Sequence, residues 1–158
     1  MKNKGFDCLI RHKKNVLENC LRIAEVEEEK GNVDFAKELV MNGFNHDYTK
    51  FKNPEWPILI TDKDLQDPKA IKGAVKHHNH CNLHHPESWK SIHEMRDVYV
   101  AEMVSDWKSR STEFGSDFFK WIKEEATKRY GFTEDDRVYR VIMYYAEMLV
   151  EPAFKPLG

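Results

Sequence analysis

The residues with the clearest chemical potential are a histidine and an aspartate side by side, His46-Asp47, within Asn45-His46-Asp47-Tyr48-Thr49-Lys50-Phe51. Such a pair offers a cation one neutral nitrogen and one charged oxygen from a single piece of backbone. Other groups of the same type flank it. His12 lies upstream in a helical run. Of the eight histidines, His77, His78, His80, His84 and His85 crowd the stretch between Lys76 and Glu87, and Asp106 follows in Glu102-Met103-Val104-Ser105-Asp106. Imidazole and carboxylate together suit divalent transition metals, and the nitrogen-rich set favours Mn, Fe, Co or Zn over Mg.

These groups must be positioned by helices. From Asp7 to about Lys30, Leu9, His12, Val16, Cys20 and Ile23 recur at spacings of three and four. His12 therefore lies on the apolar stripe. Asp7 is placed to cap this helix and Gly31 to end it. A second helix begins near Asp34, with Phe35, Leu39 and either Asn42 or Gly43 inward; His46-Asp47 falls in or just past its last turn, which Gly43 weakens. Asn53-Pro54-Glu55-Trp56-Pro57 reads as a breaker. A helix resumes after Thr61 or Asp67-Pro68, with Ile71, Ala74, Val75 and His78 inward, and runs out into the His-rich loop. Pro86-Glu87-Ser88-Trp89 can open one more turn.

The clearest helix runs from Ser91 to about Arg110, with Met95, Tyr99, Glu102, Met103 and Asp106 on one side. Gly115-Ser116-Asp117 starts another, in which Phe118, Trp121, Ile122 and Glu125 line up and Gly131 is the stop. Thr133-Glu134-Asp135-Asp136 caps the last, with Val138, Val141, Ile142, Tyr145 and Leu149 inward; the tail from Glu151 reads as extended. No strand alternation and no repeat is present. The expected fold is an all-α, single-domain bundle over residues 1–158, core about 7–150, of five to seven helices.

Composition narrows the function. With 158 residues and 41% hydrophobic side chains the chain can bury one core, and a net charge of -2 argues against nucleic acid. Cys8, Cys20 and Cys81 have no paired spacing and fit a reducing compartment. No apolar run is long enough for a membrane span and the first residues lack the apolar core of a signal peptide, so the expected location is the cytoplasm. A buried aspartate such as Asp106 requires a cation or several donors.

In the order His12 … His46-Asp47 … His-rich stretch … Asp106, the chain resembles the HD-domain superfamily of metal-dependent phosphohydrolases, and in particular a little-characterised subgroup of small phage and bacterial proteins; for a phage-encoded chain the cytoplasm is the host's. The resemblance implies an HD-domain-like bundle in which His12, His46, Asp47 and Asp106 hold an ion and His78 with His84 or His85 serves a second. It implies hydrolysis of a phosphate ester or anhydride, with a nucleotide as the small-molecule partner, by attack of metal-bound water. It leaves a homo-oligomer open. Where many nucleotidases of the superfamily carry a glutamate three residues after the pair's aspartate, this chain has Lys50, which then becomes a candidate for phosphate contact alongside Lys72 and Lys76. Glu102, one turn before Asp106, is a candidate base or orienting group. Two alternatives stand beside this: a diiron oxygenase on the same scaffold, as in relatives of inositol oxygenase, and a non-catalytic module that binds a nucleotide or metal, with Trp56, Trp89, Trp107 or Trp121 able to stack a base.

Overall fold

A computed structural model describes residues 4–60 and 67–150. Among them the regular structure is entirely helical, as the periodicities predict. The long helices are α1 (Lys4–Glu29), α2 (Val33–Asn45), α3 (Pro68–Cys81) and α4 (Asp97–Phe114). Beyond them, α5 (Phe118–Lys120), a π-helical stretch (Trp121–Ala126) and α6 (Thr127–Tyr130) form one continuous rod, and α7 (Arg137–Met148) closes the fold. None of the described helices is long and apolar enough to cross a membrane. The reading of Thr61 and of the tail from Glu151 lies outside the described residues.

The main core is built where α1, α2, α4 and α7 meet. Val16, Cys20, Ile23, Leu39, Val100, Val104 and Ile142 are fully buried there. A smaller apolar cluster of Leu9, Leu59, Ile60 and Ala74 lies between α1, α3 and a π-helical turn at Trp56–Ile60. On α1 the apolar stripe passes from the small cluster at Leu9 to the large one at Val16, with buried His12 at the seam.

Several boundaries differ from the sequence reading. Asp7 lies inside α1 and does not cap it, whereas Gly31 does end it in the left-handed region, φ 89°. α2 runs through Gly43 to Asn45. A Cβ at Gly43 would stand 3.0 Å from Cys20 Cβ, so its lack of a side chain lets α1 and α2 approach closely. Val75 is exposed, and Glu125 likewise, with Ala126 buried in the Phe118–Tyr130 rod. The clearest helix starts at Asp97, not Ser91, because Ser91 caps a separate 3-10 turn at Ile92–Glu94 and the chain is extended at Met95. It continues to Phe114 and stops at Gly115, φ 66°. Val100 to Asp106 are all buried, so α4 is a central helix enclosed on every side there, not a one-faced one. Ahead of α7, the Asp136 carboxylate accepts from Thr133 N at 2.6 Å and Thr133 Oγ1 at 2.9 Å, making a turn of the capping segment.

Candidate metal centre

The candidate ligands arrive from five places along the chain. α1 brings His12; α3 brings His78; α4 brings Asp106. His46 and Asp47 follow the end of α2. There Asp47 takes the left-handed conformation, φ 57° and ψ 22°, a backbone state costing about 1–2 kcal/mol for residues with a side chain but tolerated best by Asn and Asp. The turn aims both neighbours inward, and both are 1% exposed. The loop carrying His84 and His85 is built by side chains bonding to backbone. Asn82 Nδ2 donates to His78 O at 2.7 Å, Ser88 Oγ to Asn82 O at 2.9 Å, and Trp89 Nε1 to Leu83 O at 2.8 Å.

The side chains converge. His12 Nε2 lies 3.1 Å from Asp106 Oδ1 and 3.7 Å from Asp47 Oδ2. His46 Nε2 lies 3.7 Å from Asp47 Oδ1 and 4.0 Å from Asp106 Oδ1. On the other side of Asp47, Oδ1 is 3.0 Å from His78 Nε2 and 3.7 Å from His84 Nε2. Ligands held at about 2.0–2.2 Å from one ion stand roughly 3–3.6 Å from each other, so the spacing is close to that of a coordination sphere. Three sets of candidate donors share this region: His12, His46 and Asp106; Asp47, His78, His84 and His85; and His46, His84 and Glu102, whose atoms are those of the Glu102 bonds to the two rings. Within each set the donor atoms lie within 4.8 Å of one another. Asp47 lies between the sets: Oδ2 is near His12, and Oδ1 is near His46, His78 and His84.

The decisive feature is what these atoms lack. His12 Nε2, His46 Nε2, His84 Nε2, His85 Nε2, Asp47 Oδ1 and Asp106 Oδ1 are buried and have no hydrogen-bond partner. Several lie at ion-pair distance without the angles of a hydrogen bond. A buried polar atom left unsatisfied costs about 1–3 kcal/mol, and six in one place fit a cation.

A second layer of carboxylates explains the aim of the rings. Glu113 Oε1 is 2.9 Å from His12 Nδ1. Glu102 Oε1 reaches His46 Nδ1 at 2.9 Å and His84 Nδ1 at 3.1 Å. Glu55, fully buried, reaches His77 Nδ1 at 2.9 Å and His78 Nδ1 at 2.8 Å. A carboxylate only accepts, so Nδ1 carries the proton and Nε2 keeps its lone pair for the centre. Glu102 thus stands in the orienting role, bonded to two rings. Lys50 Nζ is 2.5 Å from Asp47 Oδ2 and the side chain is 13% exposed, which makes it an ion-pair partner of that carboxylate. Lys13 donates to the His46 carbonyl. Lys72, Lys76 and His80 are exposed, and His77 binds Glu55 instead of joining the ligands.

Electrostatics follow from this packing. Burial pushes the His46 pKa down, and its neighbour His84 adds to the effect, so His46 is neutral as a ligand must be. Burial and the neighbouring His84 and His78 push His85 down to about 2. Burial also acts to lower His84, but the hydrogen bond and charge of Glu102, with Asp47 and Asp106, outweigh it and raise the pKa. Burial alone would raise the pKa of Asp47; His46, Lys50 and His78 overcome this and hold the carboxyl well below its usual range. Asp106 is likewise lowered against burial, by His12, His46 and His84.

Beside the ligands lies a cleft of about 420 Å3 between α4 and the Phe118–Tyr130 rod. His85 and Asp106 face it, along with Arg110, Arg129 and the aromatic rings of Trp107, Trp121 and Tyr130. Sequence reasoning brought His12, His46, Asp47, His78, His84, His85 and Asp106 to one centre but missed Glu55, Glu113 and the two arginines. Glu113 carried a usable signal: it lies two turns beyond Asp106, on the same face as Ser109. Glu55 carried none, being hidden between two prolines.

A family model described as "Family of unknown function (DUF5662)" matches residues 1–149. No curated protein and no solved structure matches the chain.

Proposed function

We propose that the chain, which belongs to the DUF5662 family of unknown function, is a metal-dependent phosphohydrolase of HD-domain type. Its substrate is a phosphate ester or anhydride, with a nucleotide as the class. The observation that carries this reading is the set of six buried, unpartnered donor atoms around Asp47. His12, His46, Asp47 and Asp106 would hold one ion; Asp47, His78, His84 and His85 would hold a second. The donor chemistry favours Mn, Fe, Co or Zn. When bound, such an ion lowers the pKa of a water toward ~7 and offsets charge on phosphoryl oxygens.

The chain's own residues supply the rest. Glu55, Glu102 and Glu113 fix the histidine tautomers through Nδ1. Lys50 offsets part of the charge on Asp47. The apolar clusters on either side limit water access to the centre, which strengthens electrostatic interactions within it. Arg110 and Arg129 are the cations that face the cleft, so phosphate recognition passes from the expected lysines to them.

The test is metal analysis of the purified protein, followed by a nucleotide panel with Mn, Co, Mg and Fe. The expected result is bound transition metal at one to two ions per chain and phosphate release that Asp47→Ala abolishes. Undiminished metal in Asp47→Ala or His46→Ala would overturn the site. Bound iron with a visible-band spectrum and O2 consumption would move the assignment to the oxygenase class, for which the paired donor sets also have room.

A further inference from the structure

We infer that His77 and Cys81, on the exposed side of α3, form a metal site separate from the buried centre, selective for a thiophilic divalent cation of the zinc and cadmium type. The site goes beyond the phosphohydrolase reading and does not depend on it. The two residues are four apart on one helix and so share a face, the spacing at which paired side chains of a helix hold zinc. The Cys81 sulfur lies 3.5 Å from His77 Nε2. A zinc ion with sulfur at about 2.3 Å and imidazole nitrogen at about 2.0–2.1 Å, at a tetrahedral angle, puts those two atoms about 3.5–3.6 Å apart. The pair therefore has the separation of one edge of a coordination tetrahedron.

The histidine is aimed from behind. Its Nδ1 donates to Glu55 Oε1 at 2.9 Å, and Glu55 is fully buried. The proton is held at Nδ1, and the Nε2 lone pair is turned toward the thiol, which is the donor in that contact. A carboxylate behind the ring is the arrangement that fixes a metal-binding imidazole. The same carboxylate serves His78 of the buried centre through its other oxygen, at 2.8 Å. On metal binding the S–H bond gives way to a sulfur–metal bond, and the proton passes to solvent.

Donor type and access set the two sites apart. The buried centre offers imidazole and carboxylate, whereas a thiolate prefers softer ions. Cys81 is exposed and the His77 side chain is 40% exposed, so an ion reaches them without opening the core. Neighbouring His80 turns its Nδ1 to the Lys76 carbonyl at 2.8 Å. Among the described residues no set of three donors includes His77 or Cys81, which leaves the remaining coordination positions to water. An ion held by two side chains exchanges readily, and a chelator takes it before the buried ones. The other thiols lack this setting. Cys20 is buried in the main core, and exposed Cys8 has the Arg11 guanidinium beside its sulfur at 3.5 Å, a charge that disfavours a second cation.

The test is titration of the full, reduced chain with Cd2+, read by the ultraviolet charge-transfer absorption of a sulfur–cadmium bond, which nitrogen and oxygen ligands do not give. The band should grow to saturation, persist in Cys8→Ser and vanish in Cys81→Ser. His77→Ala should raise its Kd at least about tenfold, since losing a ligand costs no less than losing the partner that orients one. In the unsubstituted chain Cd2+ should shield Cys81 from iodoacetamide and leave Cys8 reactive, read by peptide mass spectrometry. A band that survives Cys81→Ser, an unaltered Kd in His77→Ala, or equal protection of the two thiols overturns the inference. A chain that shows the sulfur band and binds no ion at the buried centre overturns the hydrolase reading and leaves this site standing.

Discussion

Replacing Glu55 by Gln is the sharpest single perturbation of the centre, because it keeps the volume and removes only an acceptor. Glu55 is fully buried and accepts from His77 Nδ1 at 2.9 Å, from His78 Nδ1 at 2.8 Å and from Thr49 Oγ1 at 2.9 Å. A glutamine can put its oxygen toward one imidazole, but its NH2 then faces the other as a donor. If the NH2 faces His78, that ring must move its proton to Nε2, and the lone pair directed at Asp47 and its partners is lost. If the oxygen faces His78, only charge is lost, and His77, 40% exposed, can turn to water. Removing such an orienting group costs about 10–100-fold in metal affinity, or about 1.4–2.7 kcal/mol. The loss should fall on the ion held by Asp47, His78, His84 and His85 and spare the one at His12, His46 and Asp106. Competition with a chromophoric chelator, with Co2+ or Zn2+ as the probe, reads both affinities and stoichiometry. His77→Ala is the internal control and should leave both ions in place. Two ions bound with unaltered affinity by both Glu55→Gln and Glu55→Ala, which removes the Glu55 acceptor altogether, would refute the idea that outer carboxylates aim these rings.

Two other outcomes follow from the packing and the charges. Gly43→Ala should destabilise the fold by about 1–2 kcal/mol in urea titrations, since the new Cβ meets Cys20 Cβ at 3.0 Å and Leu17 Cδ1 at 3.2 Å and overpacking exceeds the helix-propensity gain; Gly73→Ala, with nothing within 4 Å, should stabilise by about 0.5–1 kcal/mol. The metal-free protein should lose Tm steadily on acidification. His46 and His85 have folded pKa values below their unfolded ones, so below about pH 6.5 the unfolded chain binds more protons and stability falls. His84 is raised and opposes this; its contribution is present below the unfolded pKa and disappears as pH rises through the folded one. Asp47, Asp106, Glu102 and Glu113 are all lowered, so their contribution is present above about pH 4 and lost below it. Equal calorimetric Tm at pH 7.5 and pH 4.5 would contradict this balance.

The parts of the centre that could be read in advance are those fixed by local periodicity. His12 shares the apolar stripe of α1 with Val16 and Cys20, and His78 shares a face with Ala74. Sequence adjacency made His46-Asp47 visible, although its left-handed turn at Asp47 has no signature beyond the residue type. His84 and His85 fall in a loop whose shape comes from Asn82, Ser88 and Trp89 bonding to nearby carbonyls. No period governs such a loop, so which rings face inward is decided by bonds that sequence spacing does not encode. Glu113 was lost for a different reason, a helix end set four residues early at Arg110 when α4 runs to Phe114. Glu55 was lost because proline neighbours mark a chain as irregular without saying where its side chains point, and this one is buried by the Trp56–Ile60 turn packing toward α3.

That outer layer changes how the fold itself should be understood. Asp47 and Asp106 in the centre, with Glu55, Glu102 and Glu113 behind the rings, place five carboxylates around one small volume. The cationic side chains that approach them among the described residues are Lys13, Lys50 and Arg110. Burial lowers the Lys13 pKa, and it spends a proton on the His46 carbonyl; Arg110 is 42% exposed. Of the histidines, His46 and His85 are shifted toward the neutral form and only His84 toward the charged one. A cluster with this excess of negative charge would normally be exposed to water. Here it sits where α1, α3 and α4 meet, between two apolar clusters that exclude solvent. The same carboxylates that leave the centre short of positive charge also orient the rings of His12, His46, His78 and His84 toward its middle. A divalent cation therefore answers two separate requirements, one of charge and one of unmet donors, and a nonpolar or purely hydrogen-bonded filling of the same space answers neither.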